Sequence, residues 1–150
     1  MIVYFGADHR GFELKKILKD YVKSLGYEVA DLGDDNYDEN DDYPDFASLV
    51  AEKVGAASDT SRGIVICGSG AGVDIVVNKF KNIRSTLALS SDQVFDARRD
   101  DDINILSLAA DFTEPENAKN YTKVFLETSF SNEPRVKRRI EKIWGIENGW

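Results

Sequence analysis

The chain has 150 residues, 42% of them hydrophobic, which is enough for one domain with a real core. Its formal net charge of −8 argues against nucleic acid or an anionic membrane as partner, because both call for a basic field. A single cysteine excludes an internal disulfide, and no apolar run is long enough for a membrane span, so the cytoplasm is the expected compartment. Met1-Ile2-Val3-Tyr4-Phe5 lacks the basic flank and the length of a signal peptide and predicts a first strand. Leu14, Ile17, Leu18, Tyr21, Val22 and Leu25 then follow helical spacing, and Gly26 is placed to end that helix. Tyr27 to Leu32 predicts a second strand. The acidic stretch from Gly33 to Asp42, with Tyr37 as its one apolar anchor, predicts a solvated surface loop. Pro44 opens a helix with Phe46, Leu49, Val50 and Val54 on one face.

The β-branched run Ile64-Val65-Ile66-Cys67 predicts a buried third strand, and Val73 to Phe80 the helix after it. Ile83 to Leu89 is a fourth strand and Ile103 to Leu108 a fifth, with a helix between them from about Ser91 to Arg99. Ala118 to Thr128 is a further helix, and a last one starts at Pro134. Five strands alternating with helices imply an α/β fold with a parallel sheet covered on both faces. Ligands of such folds collect at the carboxyl ends of the strands. With no internal repeat or linker, residues 1–150 read as one domain.

Three segments carry the chemistry. In Gly6-Ala7-Asp8-His9-Arg10-Gly11, a helix cap accounts for Asp8 but leaves His9, the only histidine, and Arg10 unexplained. In Cys67-Gly68-Ser69-Gly70-Ala71-Gly72, a thiol at a strand end precedes backbone amides at a helix N-terminus, a place that binds anions and favours a thiolate. That arrangement suits proton or acyl chemistry on a small anion. A buried cysteine before a tight turn explains the same residues equally well. The loop is a poor dinucleotide fingerprint, since it follows the third strand and not the first, and it lacks the Gly-Lys-Ser/Thr ending of a phosphate loop. Near the end, Arg135 and Arg139 lie four apart and share one helix face, apart from the apolar stripe of Val136, Ile140 and Ile143. They form either a phosphate clamp or an ordinary solvated basic face. All three segments are expected to meet at the carboxyl edge of the sheet.

Asp8-His9-x-Gly11, Asp42-Tyr43-Pro44-Asp45, Ile66-Cys67-Gly68-Ser69-Gly70-x-Gly72, Asn78-Lys79-Phe80 with Ile83-Arg84, and Arg135-x3-Arg139 occur in that order. The chain resembles the ribose-5-phosphate isomerase B and galactose-6-phosphate isomerase family over essentially its whole length. The resemblance implies a Rossmann-like three-layer α/β/α sandwich with five parallel strands ordered 2-1-3-5-4. It also implies homodimers or tetramers whose active sites are built from two subunits, and no metal or organic cofactor. Cys67 matches the base that moves a proton between C1 and C2 of a sugar phosphate through an enediolate. The amides of Gly68, Ser69, Gly70, Ala71 and Gly72 match its anion hole, Asp8 and His9 match substrate-binding positions, and Arg135 and Arg139 match the phosphate-binding arginines.

One departure stands out. Active ribose isomerases of the family carry a His-Asn-Asp segment before the fifth strand, and its histidine opens the sugar ring. Here Asp100 stands in place of that histidine and Asp101 in place of the substrate-binding asparagine. As a proton donor near neutral pH, Asp100 needs a strongly raised pKa, and two carboxylates repel a sugar phosphate. The leading expectation is an aldose–ketose isomerase favouring ribose 5-phosphate and ribulose 5-phosphate. The alternatives are a galactose-6-phosphate isomerase-type subunit in a hetero-oligomer with a histidine-bearing paralogue, and a catalytically silent sugar-phosphate-binding protein.

Overall fold

The computed structural model describes residues 1–33 and 35–150; Asp34, part of the predicted acidic loop, lies outside the described residues. Five parallel strands form one sheet: β1 (Ile2–Ala7), β2 (Glu28–Asp31), β3 (Ser61–Cys67), β4 (Ser85–Leu87) and β5 (Ile105–Ala109). Their order is β2-β1-β3-β5-β4, the order the resemblance implies. The helices are α1 (Phe12–Ser24), α2 (Tyr43–Ala56), α3 (Ala71–Val77), α4 (Ser91–Asp101), α5 (Pro115–Glu127) and α6 (Pro134–Glu147), and a 3-10 turn spans His9–Gly11.

Strand alternation sorts side chains into two cores. Val3, Phe5, Ile64, Ile66, Leu106 and Leu108 pack toward α1, α4 and α5, against Leu18, Val22, Val94 and Phe125. Val65, Cys67 and Ile105 point the other way, toward Val50 and Val54 of α2 and Val73 and Val77 of α3. Each fully buried Leu, Ile or Phe in these layers contributes about 1.5–3 kcal/mol by leaving water. Three layers result.

Several boundaries moved for local reasons. The buried face of α2 is Ala47, Val50, Ala51 and Val54, while Leu49 stays exposed. Small residues are needed there because α2 lies so close to the sheet that a Cβ on Gly63 would be 2.7 Å from Val50. Ile17, predicted on the buried face of α1, is likewise partly exposed. The predicted fourth and fifth strands start two residues late, at Ser85 and Ile105, where the Asn104 side chain accepts from Arg84 N–H at 2.9 Å and donates to Asn82 O at 2.7 Å. Helix α3 ends at Val77 because the Asn78 amide turns aside to Asp74 O, Ser85 O and Ser85 N–H. Among the described residues, no helix is long and apolar enough to cross a membrane.

Candidate active site

Neighbouring β1, β3 and β5 deliver their following loops to one edge of the sheet. Asp8 N–H donates to Ile66 O at 3.3 Å, Ala110 N–H to Cys67 O at 2.9 Å and Asp111 N–H to Gly68 O at 3.0 Å, which ties the three loops together. Cys67 sits in the middle, 4% exposed, its side chain on the α2/α3 side of the sheet.

Gly70 holds φ +72 as the residue capping α3, a left-handed conformation that a side chain would strain. The turn so formed leaves amides open. Among the described residues, the N–H groups of Gly68, Ser69, Gly70 and Gly72 have no acceptor, while Ala71 N–H reaches Ser69 Oγ at 3.4 Å. Unpaired donors directly after a thiol are able to hold an oxyanion. The Tyr43 ring packs against Gly72, and the Arg10 guanidinium, ion-paired with Asp111, lies against Gly68.

Asp8 does cap the 3-10 turn: its Oδ1 accepts from Arg10 N–H at 3.0 Å and Gly11 N–H at 3.1 Å. His9 is held by a residue that sequence reasoning passed over. Asp41 Oδ1 accepts from His9 N–H at 3.0 Å and from Nδ1–H at 2.7 Å. That hydrogen bond raises the imidazole pKa above its ordinary value, helped by the nearby Asp8 charge and opposed by burial and Arg10. With Nδ1 committed, Nε2 is the nitrogen left for a ligand. The acidic loop is therefore not merely solvated surface, because Asp41 makes it part of the site. Asp8, His9 and Asp41 also bring one donor atom each within 4.8 Å of the others, the spacing a cation site uses.

Asp100, Asp101, Arg135 and Arg139 are elsewhere. Helix α4 ends just before β5 begins, so its last residues lie at the amino-terminal edge of the parallel sheet. Gly63, level with the start of β5, is four residues before Cys67, or about 13 Å along the strand. Helix α6 packs on α4, and Ser131 N–H donates to Arg99 O at 2.9 Å. The expectation that all three segments meet at the carboxyl edge therefore fails for the α6 arginines within this chain: α5 follows β5 and carries the chain back to the far edge, where α6 starts beside the end of α4.

At that corner Asp100 is gripped by Arg99, Nε to Oδ1 at 2.9 Å and Nη2 to Oδ2 at 2.8 Å. This hydrogen bond, aided by the charges of Arg99, Arg135 and Arg139, lowers the Asp100 pKa. The Arg99 fork thus favours the charged form of Asp100 and offsets part of the repulsion expected of it. Burial, then the Asp100 charge, raises the pKa of Asp101 instead. Arg135 is exposed and pairs with Glu133 at 3.0 Å, and Arg139 forms no hydrogen bond or ion pair among the described residues.

A family model described as Ribose/Galactose Isomerase matches residues 3–143. The chain belongs to that family. It is 43% identical to a Mycoplasma genitalium protein named probable ribose-5-phosphate isomerase B, over 94% of this chain and 92% of the relative. It is 36% identical to ribose-5-phosphate isomerase B of Mycobacterium tuberculosis, over 94% of this chain and 86% of that one. The crystal structure of ribose-5-phosphate isomerase B from Mycoplasma genitalium with bound ribulose-5-phosphate superposes with a TM-score of 0.95 at 39% identity, covering 99% of this chain and 97% of that one. The chain is an aldose–ketose isomerase acting on a sugar phosphate. In this isomerase Asp41, bonded to His9, and Tyr43, packed on Gly72, stand at the candidate site without having been singled out by pattern reading. The Asp42-Tyr43-Pro44-Asp45 motif pointed at the right loop, but no spacing rule joins residue 9 to residue 41.

Proposed function

We propose that this isomerase interconverts ribose 5-phosphate and ribulose 5-phosphate by proton transfer at Cys67 through an enediolate. The observation that carries the reading is the turn of unpaired amides directly behind the thiol. Cys67 as thiolate takes the proton from C2 of the aldose, the N–H groups of Gly68, Ser69, Gly70 and Gly72 hold the enediolate oxygen, the hydroxyl proton passes from O2 to O1, and the thiol returns its proton to C1. His9, held in place by Asp41, binds the substrate with Asp8. The whole chain works as one domain in the cytoplasm.

The separation of the two edges supports a site shared between copies. The carboxyl edge of one chain receives the α4–α6 corner of a second, which brings Arg135 and Arg139 as phosphate clamp and Asp100 and Asp101 beside the sugar. The homodimer is then the smallest competent unit. Asp100, standing in place of a histidine and held in the Arg99 fork, favours one second reading, in which a histidine-bearing paralogue supplies the ring-opening donor in a hetero-oligomer.

The test is an isomerase assay on ribose 5-phosphate with the purified homo-oligomer, together with exchange of the substrate C2 proton with solvent. Cys67→Ala should abolish exchange while phosphate binding persists. Exchange at close to the wild-type rate would refute the role of the thiol. Turnover only after addition of a histidine-bearing paralogue would select the second reading.

A further inference from the structure

The amino-terminal edge holds a cavity of about 520 Å³, between the turn that precedes β3 and the connection from α5 to α6, that the isomerase reading does not use. Arg62, Arg84 and Arg98 all line it. Arg84 and Arg98 share one carboxylate: Arg84 Nη2 reaches Asp102 Oδ2 at 3.0 Å, and Arg98 Nη1 reaches Asp102 Oδ1 at 2.8 Å. The Arg98 side chain is 4% exposed.

Arg62 has no carboxylate of its own. Its Nη1 donates to the carbonyls of Ser58 at 2.7 Å and Ser61 at 2.8 Å, and among the described residues its Nε and Nη2 have no acceptor. Burial and the charges of Arg98 and Arg84 lower its pKa, against the pull of Asp102 and Asp59. Arg84 and Arg98 are further held by backbone carbonyls, of Asp101 and Asp102 for Arg84 and of Thr128 and Ile103 for Arg98, so Arg62 is the guanidinium with the most donors left for another anion.

We propose that this cavity binds the phosphate group of a small molecule, at a site separate from the Arg135/Arg139 clamp. A tetrahedral dianion suits the chemistry, because guanidinium forks bind phosphate through paired N–H bonds. Ser129 and Asn132 line the same cavity and offer further donors. Asp59 and Glu127 stand at its exposed rim, which favours a compact dianion at the arginine end over an extended polyanion. The volume lies within the range of small-ligand sites, roughly 300–1,000 Å³, so a phosphate ester fits as well as the free ion.

The experiment uses the full-length Arg135→Ala/Arg139→Ala variant, which blinds the proposed clamp, with Cys67→Ala added so that ribose 5-phosphate is not consumed. Inorganic phosphate and ribose 5-phosphate are titrated separately, and arginine Nε–H and backbone amide NMR signals are followed. Saturable shifts are expected at Arg62, Arg98, Ser129 and Asn132. Adding Arg62→Ala should weaken binding about tenfold or more, whereas Arg62→Lys, which keeps the charge, should retain most of it. Equal saturation by both ligands would identify the phosphate group alone as the occupant, and tighter binding of the ester would add its carbon skeleton. Absence of saturable shifts around the cavity, or equal affinity with and without Arg62, would overturn the proposal without touching the isomerase reading.

Discussion

Two inactive variants of this chain should repair each other. Cys67→Ala removes the proposed base from the carboxyl edge, and Arg135→Ala/Arg139→Ala removes the proposed clamp from the amino-terminal corner. The edges are about 13 Å apart along β3, farther than an arginine side chain spans, so one chain cannot join the two functions. In a mixed dimer with two-fold symmetry, one site carries both lesions and the other carries neither. Random pairing at equal amounts makes half the dimers mixed, so about a quarter of all sites are intact, and co-expressed variants should recover about a quarter of wild-type turnover. The assay is ribulose 5-phosphate formation by co-purified, differently tagged variants, with each variant alone as the blank. Recovery no greater than the sum of the two blanks would mean that the thiol and the arginines do not serve one shared site. Both substitutions should be tolerated by the fold, because Arg135 and Arg139 are exposed and Cys67→Ala removes only a small group from a packed face.

Asp41→Asn should lower the pKa of His9 toward its ordinary value of about 6.5, read directly by NMR because it is the only histidine. The sign follows from the raised folded pKa: the stabilisation is complete below the unfolded value and is lost as pH rises through the folded one, so the variant should lose stability at acid pH and little at alkaline pH. An unchanged His9 titration would show that Asp41 does not hold the ring. Gly70→Ala should cost about 1–2 kcal/mol from the left-handed backbone, and more from a Cβ only 3.0 Å from Ala109 N, as measured by urea unfolding. Asp100→His should speed turnover of cyclic sugar phosphates more than of substrates that cannot cyclise. A wild type already as fast on both kinds would remove the case for a missing ring-opening donor.

The division between sequence and tertiary structure follows from the range of each interaction. Strand and helix periods are local, so the β-branched run to Cys67, the apolar spacing in α1 and the start of α6 at Pro134 were legible in the chain. So was the cap at Asp8, which acts over three residues. Ring opening was already in question at residue 100, where the motif breaks. What the sequence could not decide was which pieces share an edge. The His9–Asp41 bond spans 32 residues and exists only because β1 and the loop after β2 finish at the same end of the sheet. Arg135 and Arg139 look like partners of Cys67 by motif, yet they lie at the opposite end from it, because α5 runs back from the carboxyl edge after β5 and α6 then packs on α4. The lowering of the Asp100 pKa is part local and part tertiary: its neighbour Arg99 supplies the fork, and the packing of α6 on α4 brings the α6 arginines near.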